Sequence, residues 1–519
     1  MKKYLFSALA LFGALALTAQ DTPKNWPHLD LTKDGVLGMS TDKAYEELLN
    51  GKSGQMVIVA IIDSGVDAEH EDLADVMWVN ADEIPDNGKD DDNNGYIDDI
   101  HGWNFIGGPN GTHIDSENLE IIRLYNRYKE RFEGADVSKL SKSARKTYDT
   151  YKEYEKIIND KREDLAPKVQ LYGTTFEMLE AVTKAIGKAP EDITKEDIKA
   201  QMEGDAESGA EFVMRFMEEG SSFADIYNDL EGYATYLKDS YGANWNPDFD
   251  ARDIVGDDPS NLTDRDYGNN DIEGPDAMHG THVAGIVAAI RNNDIGMNGV
   301  ISDNVRIMSV RTVPNGDERD KDVANAIYYA VDNGATVINM SFGKGQSPYK
   351  GAVDAAMKYA ASKDVVLVHA AGNDGKENNT ENNFPHDVYA KRGLFGKKNV
   401  PTWIEVGAMT VNNDEGLTAS FSNYSADYVD VFAPGVEIYA TVPDDKYQNL
   451  QGTSMAAPQV AGLAALLRSY FPDLTAVQIK EIIMESSVKP SQMVNVPGEE
   501  DKKTSLSKIS VSGGVANVY

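Results

Sequence analysis

Residues 56–62 read MVIVAII and are followed at once by Asp63-Ser64-Gly65. An unbroken run of β-branched residues suits a strand buried on both faces, as in a parallel sheet, and it leaves the acid at the strand's carboxyl end. Comparable runs recur at 305–310 (VRIMSV), 336–340 (TVINM), 365–370 (VVLVHA) and 403–406 (WIEV), separated by helical patterns at 323–331 and 352–361. Strand and helix in alternation predict an α/β fold, with a mostly parallel central sheet and helices on both faces. Ligand chemistry is then expected at the carboxyl ends of the strands.

From Thr112 to about Ala251 the pattern changes to amphipathic helices rich in Lys, Glu and Tyr. Ile121, Tyr125, Tyr128 and Phe132 fall at helical spacing, as do Phe223, Ile226, Leu230, Tyr233 and Leu237. Thr194 and Asp197 have the spacing of a capping pair. A glycine-rich segment leads in at 107–113 and GANWNPDFD leads out at 242–250, so residues 112–250 are read as a helical insertion interrupting an α/β domain of residues 56–111 and 251–519. Residues 20–55 form an N-terminal extension. Residues 1–19, with Lys2 and Lys3 before an apolar run and Leu17-Thr18-Ala19 at its end, have the form of a secretory signal. The mature chain is thus expected to be secreted, in a periplasm or outside the cell. No later segment is apolar enough for a membrane span.

A formal charge of −36 argues against nucleic acid or an anionic membrane surface as partner. Gly51-Lys52-Ser53 lacks the first glycine of a phosphate loop, since Glu46 stands in its place. With no cysteine there is neither a disulfide nor a thiolate ligand.

The stretch QGTSMAAPQVAGLAALL, 451–467, sets hydroxyls before a helix that is apolar all round. Pro458 fits only near a first turn, which puts the helix start close to Ser454. An N-cap serine is the plain reading. A nucleophile beside an oxyanion site is the other, and it requires a base, an orienting acid and a second donor. Three stretches supply them: Asp63 in DSGVD at a strand end, His279 in HGTHVAG heading a small-residue helix, and Asn373 in AAGND after a buried strand.

Asp, His and Ser in that order on an α/β sheet, with DSGVD, HGTHVAG, INMSFG, AAGN and GTSMAAP all present in sequence, resemble the subtilase family of serine endopeptidases. The resemblance runs from about Trp26 to Phe105 and from Ala251 to Tyr519. It implies Asp63, His279 and Ser454 as a catalytic triad and Asn373 as a side-chain donor to the oxyanion, with polypeptides as substrates. It also implies that Ser341, Phe342 and Gly343, with Gly372, bind extended substrate backbone. His282, three residues beyond His279 and without a metalloprotease glutamate, is read as structural. Two alternatives remain: a peptidase restricted to peptides by the insertion acting as a lid, and an inactive binding protein on a protease scaffold.

DDDNNGYIDD, 90–99, spaces Asp90, Asp92 and Asn94 two apart before Gly95, like the first half of a calcium loop. His101 stands where the last ligand of such a loop would be. Asp90, Asp92, Asn94 and Asp98 are therefore candidate ligands for a structural calcium ion, and an acidic solvated turn is the competing reading. By resemblance, Asp72 in HEDL matches a calcium ligand of the family. Two departures from simple subtilases stand out. Asp63 and His279 lie 279 − 63 = 216 positions apart, and only 56 − 20 = 36 positions separate Gln20 from the first core strand, few for a folded pro-domain of the usual kind.

Overall fold

The computed structural model describes residues 22–201, 207–390, 399–499 and 501–519. The secretory signal expected at 1–19 lies outside these residues.

Seven strands form one sheet: β1 (Val57–Asp63), β2 (Gly102–Asn104), β3 (Val305–Arg311), β4 (Val337–Met340), β5 (Val366–Ala370), β6 (Trp403–Met409) and β7 (Val431–Pro434). Their order is β2-β3-β1-β4-β5-β6-β7, and every pairing is parallel. The predicted α/β fold is thus present. β1 sits inside it, Val57 to Asp63 paired with Val305 to Arg311 on one side and Val59 to Ile62 with Val337 to Met340 on the other.

Alternation along β1 sorts its side chains into two cores, as strand geometry requires. Val57, Val59 and Ile61 join one core with α7 (Met278–Ala288), α10 (Thr453–Tyr470) and α11 (Ala476–Ser486). Ala60 and Ile62 face the other, under α8 (Asp320–Asp332) and α9 (Lys350–Ser362). Both faces of the sheet are therefore covered, which is why its strands read as continuous apolar runs. A one-turn helix α1 (Thr41–Ala44) precedes β1, and an antiparallel hairpin, β8 (Ile438–Val442) with β9 (Lys446–Leu450), lies just before α10.

Between β2 and α7 come α2 (Glu120–Phe132), α3 (Lys142–Ile186), α4 (Lys195–Ala200), α5 (Glu207–Glu219) and α6 (Phe223–Asp239). They carry small cores of their own. Ile122, Tyr125 and Phe132 pack on Tyr151 and Ile158 of α3; Leu179 and Val182, further along α3, pack with Val213, Phe223 and Leu230. Thr194 and Asp197 form a reciprocal capping box at the head of α4. Tyr233, at the same helical spacing, is 37% exposed and meets Tyr172 edge to face, with ring centroids 4.6 Å apart. Among the described residues no helix is long and apolar enough to cross a membrane.

Candidate active site

Asp63 is the last residue of β1 and His279 the second of α7, so a strand end and a helix head deliver them to the carboxyl edge of the sheet. His279 Nδ1 donates to Asp63 Oδ1 at 2.6 Å, and the Ser64 N–H donates to the same oxygen at 2.8 Å. This closeness depends on Gly280. A Cβ there would stand 2.0 Å from the Gly65 carbonyl oxygen, so any side chain would push α7 off the DSG turn. The Asp63 side chain is 2% exposed and that of His279 36%, leaving Nε2 of the imidazole toward an open cleft.

Burial disfavours the imidazolium, but the Asp63 charge and hydrogen bond, with the Asp276 charge, outweigh it and hold His279 above the ordinary imidazole value of 6.5. His282 differs. Its Nε2 lies 3.0 Å from the carbonyls of both Ile438 and Gln448, tying α7 to the β8–β9 hairpin, and burial lowers it to about 4. It is a neutral cross-brace.

Ser454 is the second residue of α10, and Gly452 precedes the helix with φ +155°. A Cβ on Gly452 would lie 3.4 Å from Asn373 Nδ2 and 3.6 Å from the Ser454 backbone nitrogen. Two donors therefore converge on a space that only glycine leaves empty, at a helix N-terminus where the dipole favours an anion. Thr453, which the sequence reading gave no role, aims the amide: its N–H and hydroxyl both donate to Asn373 Oδ1 at 2.9 Å. With the oxygen thus occupied, Nδ2 turns outward. The Thr453 hydroxyl in turn accepts from the Gly372 N–H at 3.0 Å.

Ser341 and Ser454 exchange bonds. The Ser454 hydroxyl donates to the Ser341 carbonyl at 3.0 Å, and the Ser341 hydroxyl donates to the Ser454 carbonyl at 2.9 Å. That carbonyl is available because Pro458, four residues on, has no N–H to offer it.

A cleft of about 320 Å³ is lined by Asp63 and His279, by Val313, Pro314, Asn315 and Gly316 on one side, and by Ser341, Phe342 and Gly343 on the other. Gly372 and Asn373 follow just after β5 (Val366–Ala370). Arg311, also on the cleft, spends its guanidinium on the Ser64 and Ile114 carbonyls and Asn104 Oδ1, and burial lowers it to about 10.

The acidic loop makes a separate group. Asp90 and Asp92 offer carboxylate oxygens that, with Glu83, all lie within 4.8 Å of one another. Glu83 is absent from the sequence reading, since it lies outside the loop's repeat. Asn94 is drawn in, its N–H donating to Asp90 at 3.1 Å and Asp92 at 2.9 Å. Asp98 instead accepts from the N–H groups of Asn87 and Gly88 at 3.2 and 2.8 Å. Asp72 stands elsewhere, accepting from Asn293 Nδ2 at 2.7 Å, and burial raises its carboxyl above the usual range.

A family model described as the subtilase family matches residues 54–508. A thermophilic serine proteinase of Bacillus sp. (strain AK1) is 39% identical over 246 residues, 47% of this chain and 54% of that protein. Thermitase of Thermoactinomyces vulgaris is 43% identical over 192 residues, 37% of this chain and 61% of that protein. The chain thus spans little more than half the length of these curated relatives. A crystal structure of a cold adapted subtilisin-like serine proteinase overlaps 49% of this chain and 77% of its own, at 30% identity and a TM-score of 0.36.

Proposed function

This chain belongs to the subtilase family, and on that premise we propose that it is a secreted serine endopeptidase working through Asp63, His279 and Ser454. The observation that carries the reading is the 2.6 Å bond from His279 Nδ1 to a buried Asp63 carboxylate, on a cleft also lined by Ser341, whose carbonyl accepts from the Ser454 hydroxyl at 3.0 Å. Relatives named serine proteinase and thermitase support it.

In this mechanism Ser454 Oγ attacks the scissile carbonyl carbon while its proton passes to His279 Nε2. Asp63 fixes the tautomer that leaves Nε2 free and stabilises the imidazolium that forms. The carbonyl oxygen, now an oxyanion, takes hydrogen bonds from Asn373 Nδ2 and the Ser454 N–H. The C–N bond breaks as His279 returns the proton to the leaving amine, and the acyl group remains as an ester on Ser454. Water then attacks that ester, giving one proton to His279, and the serine recovers it as the acid departs. Ser341, Phe342, Gly343 and Gly372 would hold the extended substrate backbone.

Calcium is proposed as a structural ion. Glu83, Asp90 and Asp92 form an all-oxygen anionic set whose spacing suits ligand distances of about 2.3–2.6 Å. Asn94 would stand beside the ion, and Asp72 belongs to a separate candidate position. A bound cation supplies charge that holds the acidic loop together.

One observation favours a narrowed substrate range. Asn244 Nδ2 donates to the Asn315 carbonyl at 2.8 Å, and Arg123 to the Asp317 and Glu318 carbonyls at 3.0 and 3.2 Å. Arg123 of α2 and Asn244, just past α6, thus tie the helical segment to the loop that walls the cleft, where a cover would attach.

Labelling with a fluorophosphonate tests the main reading. Ser454 should be modified in the intact chain and the label lost in Ser454→Ala; an unlabelled chain would be a binding protein on the same scaffold.

A further inference from the structure

The proteolytic reading, on which this inference rests, needs an extended substrate beside segment 341–343, and the sheet leaves a place for it. In the order β3-β1-β4 the middle strand ends at Asp63, while the chain runs on past β3 as the wall 313–318 and past β4 as the wall 341–343. Two strands flanking a missing third stand about 9–10 Å apart, twice the ordinary strand spacing. The cleft is therefore a slot one strand wide, and a substrate can pair with both of its walls only while that width holds.

Lys344 ties the walls together beyond Gly343. Its backbone N–H donates to the Phe384 carbonyl at 3.0 Å, and its carbonyl accepts from the Phe384 N–H at 2.9 Å, which fixes one end of the tie. The side chain crosses to the other wall: Nζ donates to the Glu318 carbonyl at 2.7 Å and lies 2.9 Å from both Asp320 Oδ1 and Glu120 Oε2. An ammonium has three N–H groups, and all three are used. The side chain is 1% exposed, so the charge has left water and is held by two carboxylates, one at the head of α8 and one at the head of α2. Each carboxylate is fixed by further donors. Asp320 accepts from the Ser347 hydroxyl at 2.9 Å and the Tyr349 N–H at 2.7 Å, and Glu120 Oε2 accepts from Arg123 at 2.6 Å. Burial alone would raise the Glu120 carboxyl, but the Lys344 and Arg123 charges hold it down at about 2.

We propose that Lys344 is a positioning residue for the substrate: its ammonium sets the distance between the two walls and so lets a substrate strand pair with both at once. It acts through Gly343 and Glu318 and has no part in bond breaking. Its loss should weaken the hold on long substrates more than on short ones.

The test is a set of peptide esters carrying one, two, three or four residues before the scissile bond. In the intact chain kcat/KM should climb with length. Lys344→Met removes the tie, yet leaves Asp320 with Ser347 and Tyr349 and Glu120 with Arg123. The ratio of the longest ester to the shortest should then fall about tenfold, the size of one or two lost hydrogen bonds, with the change in KM. A lysine that only stabilises the fold predicts a lower melting transition and the original ratio. A folded variant that behaves so overturns the proposal, as does a loss confined to kcat or an intact chain whose efficiency does not rise with length. If the variant does not fold, amide exchange in the intact chain decides. Coupling is reciprocal, so a fluorophosphonate carrying four residues should slow exchange of the Tyr349 N–H, bonded to Asp320, about tenfold relative to a small fluorophosphonate; equal exchange overturns the proposal. Ser454 that takes the label alongside the wrong ratio overturns the role of Lys344 alone; an unlabelled Ser454 with no ester cleaved overturns the proteolytic reading and this inference with it.

Discussion

Ser341 and Ser454 are bound to each other twice, hydroxyl to carbonyl in each direction, at 2.9 and 3.0 Å. In the proposed mechanism the Ser454 hydroxyl is thus parked on Ser341 and must exchange that carbonyl for His279 Nε2 before it can react. The return bond also satisfies a carbonyl that Pro458 leaves without a helical partner.

Ser341→Ala should therefore destabilise the chain by about 1–3 kcal/mol, because the Ser454 carbonyl and the buried Asn339 amide, which donates to the Ser341 hydroxyl at 2.9 Å, both lose a partner. Adding Pro458→Ala restores an N–H four residues from Ser454 and should recover part of the loss. Denaturant melts of the single and double variants, in a Ser454→Ala background that cannot digest itself, would show this as non-additivity. Additive losses would mean that Pro458 does not govern the bond.

Asn373→Ala should lower kcat by about 10²–10³ with KM nearly unchanged, the size of loss known for removing one such donor in subtilisin. Steady-state kinetics on one peptide suffices. A change confined to KM would make Asn373 a ground-state binding group.

As the proposed base, His279 works only when neutral, and its proton is held more tightly than that of a free imidazole, whose value is 6.5. The rise of kcat/KM with pH should thus have its midpoint above 6.5. Asp63→Asn should move the midpoint down and lower kcat by about 10⁴. The same shift has a stability sign: a raised folded value stabilises the chain below 6.5, and that contribution is lost as pH rises through the folded value. A rate flat from about pH 5 to 9 would remove His279 from the base role.

Calcium at a hundredfold excess over its Kd should add about 2.7 kcal/mol to stability, separating melts with calcium from melts with chelator by several degrees. Glu83→Gln should erase most of the difference, although Glu83 lies outside the motif that suggested the ion. Superimposed melts would leave Asp90, Asp92 and Asn94 as a solvated turn.

Replacing residues 120–243 by a short Gly/Ser linker tests the cover. The join is feasible because the Leu119 N–H donates to the Asn244 carbonyl at 3.1 Å, so the cut ends already touch. A cover predicts that digestion of folded proteins rises relative to hydrolysis of a small ester. An unchanged ratio in a soluble product would exclude it.

What the sequence made legible follows burial. β1, β3, β4, β5 and β6 read as strands because both faces are covered and most positions are apolar. β7 escaped notice because it is four residues long and ends on Pro434, and β9 because KYQNL is largely exposed and polar. That one helix, α3, runs 45 residues through Pro167 was equally hidden, since proline ordinarily marks a break. At the site, motifs located Asp63, His279, Asn373 and Ser454. They were silent on Thr453 aiming Asn373 and on Glu83 joining Asp90, because those are contacts between segments and carry no local pattern.

The meeting of Leu119 and Asn244 also bears on how the chain folds. β1 must find β3 across 305 − 57 = 248 positions, and residues 120–243 account for half of that separation. Helices that collapse first onto their own small cores would bring their ends together and shorten the effective loop twofold. By loop-closure entropy that saves only about 0.6 kcal/mol. A helical segment of this size between Asp63 and His279 is therefore nearly neutral for pairing the central strands, provided that it folds as a closed unit before they meet.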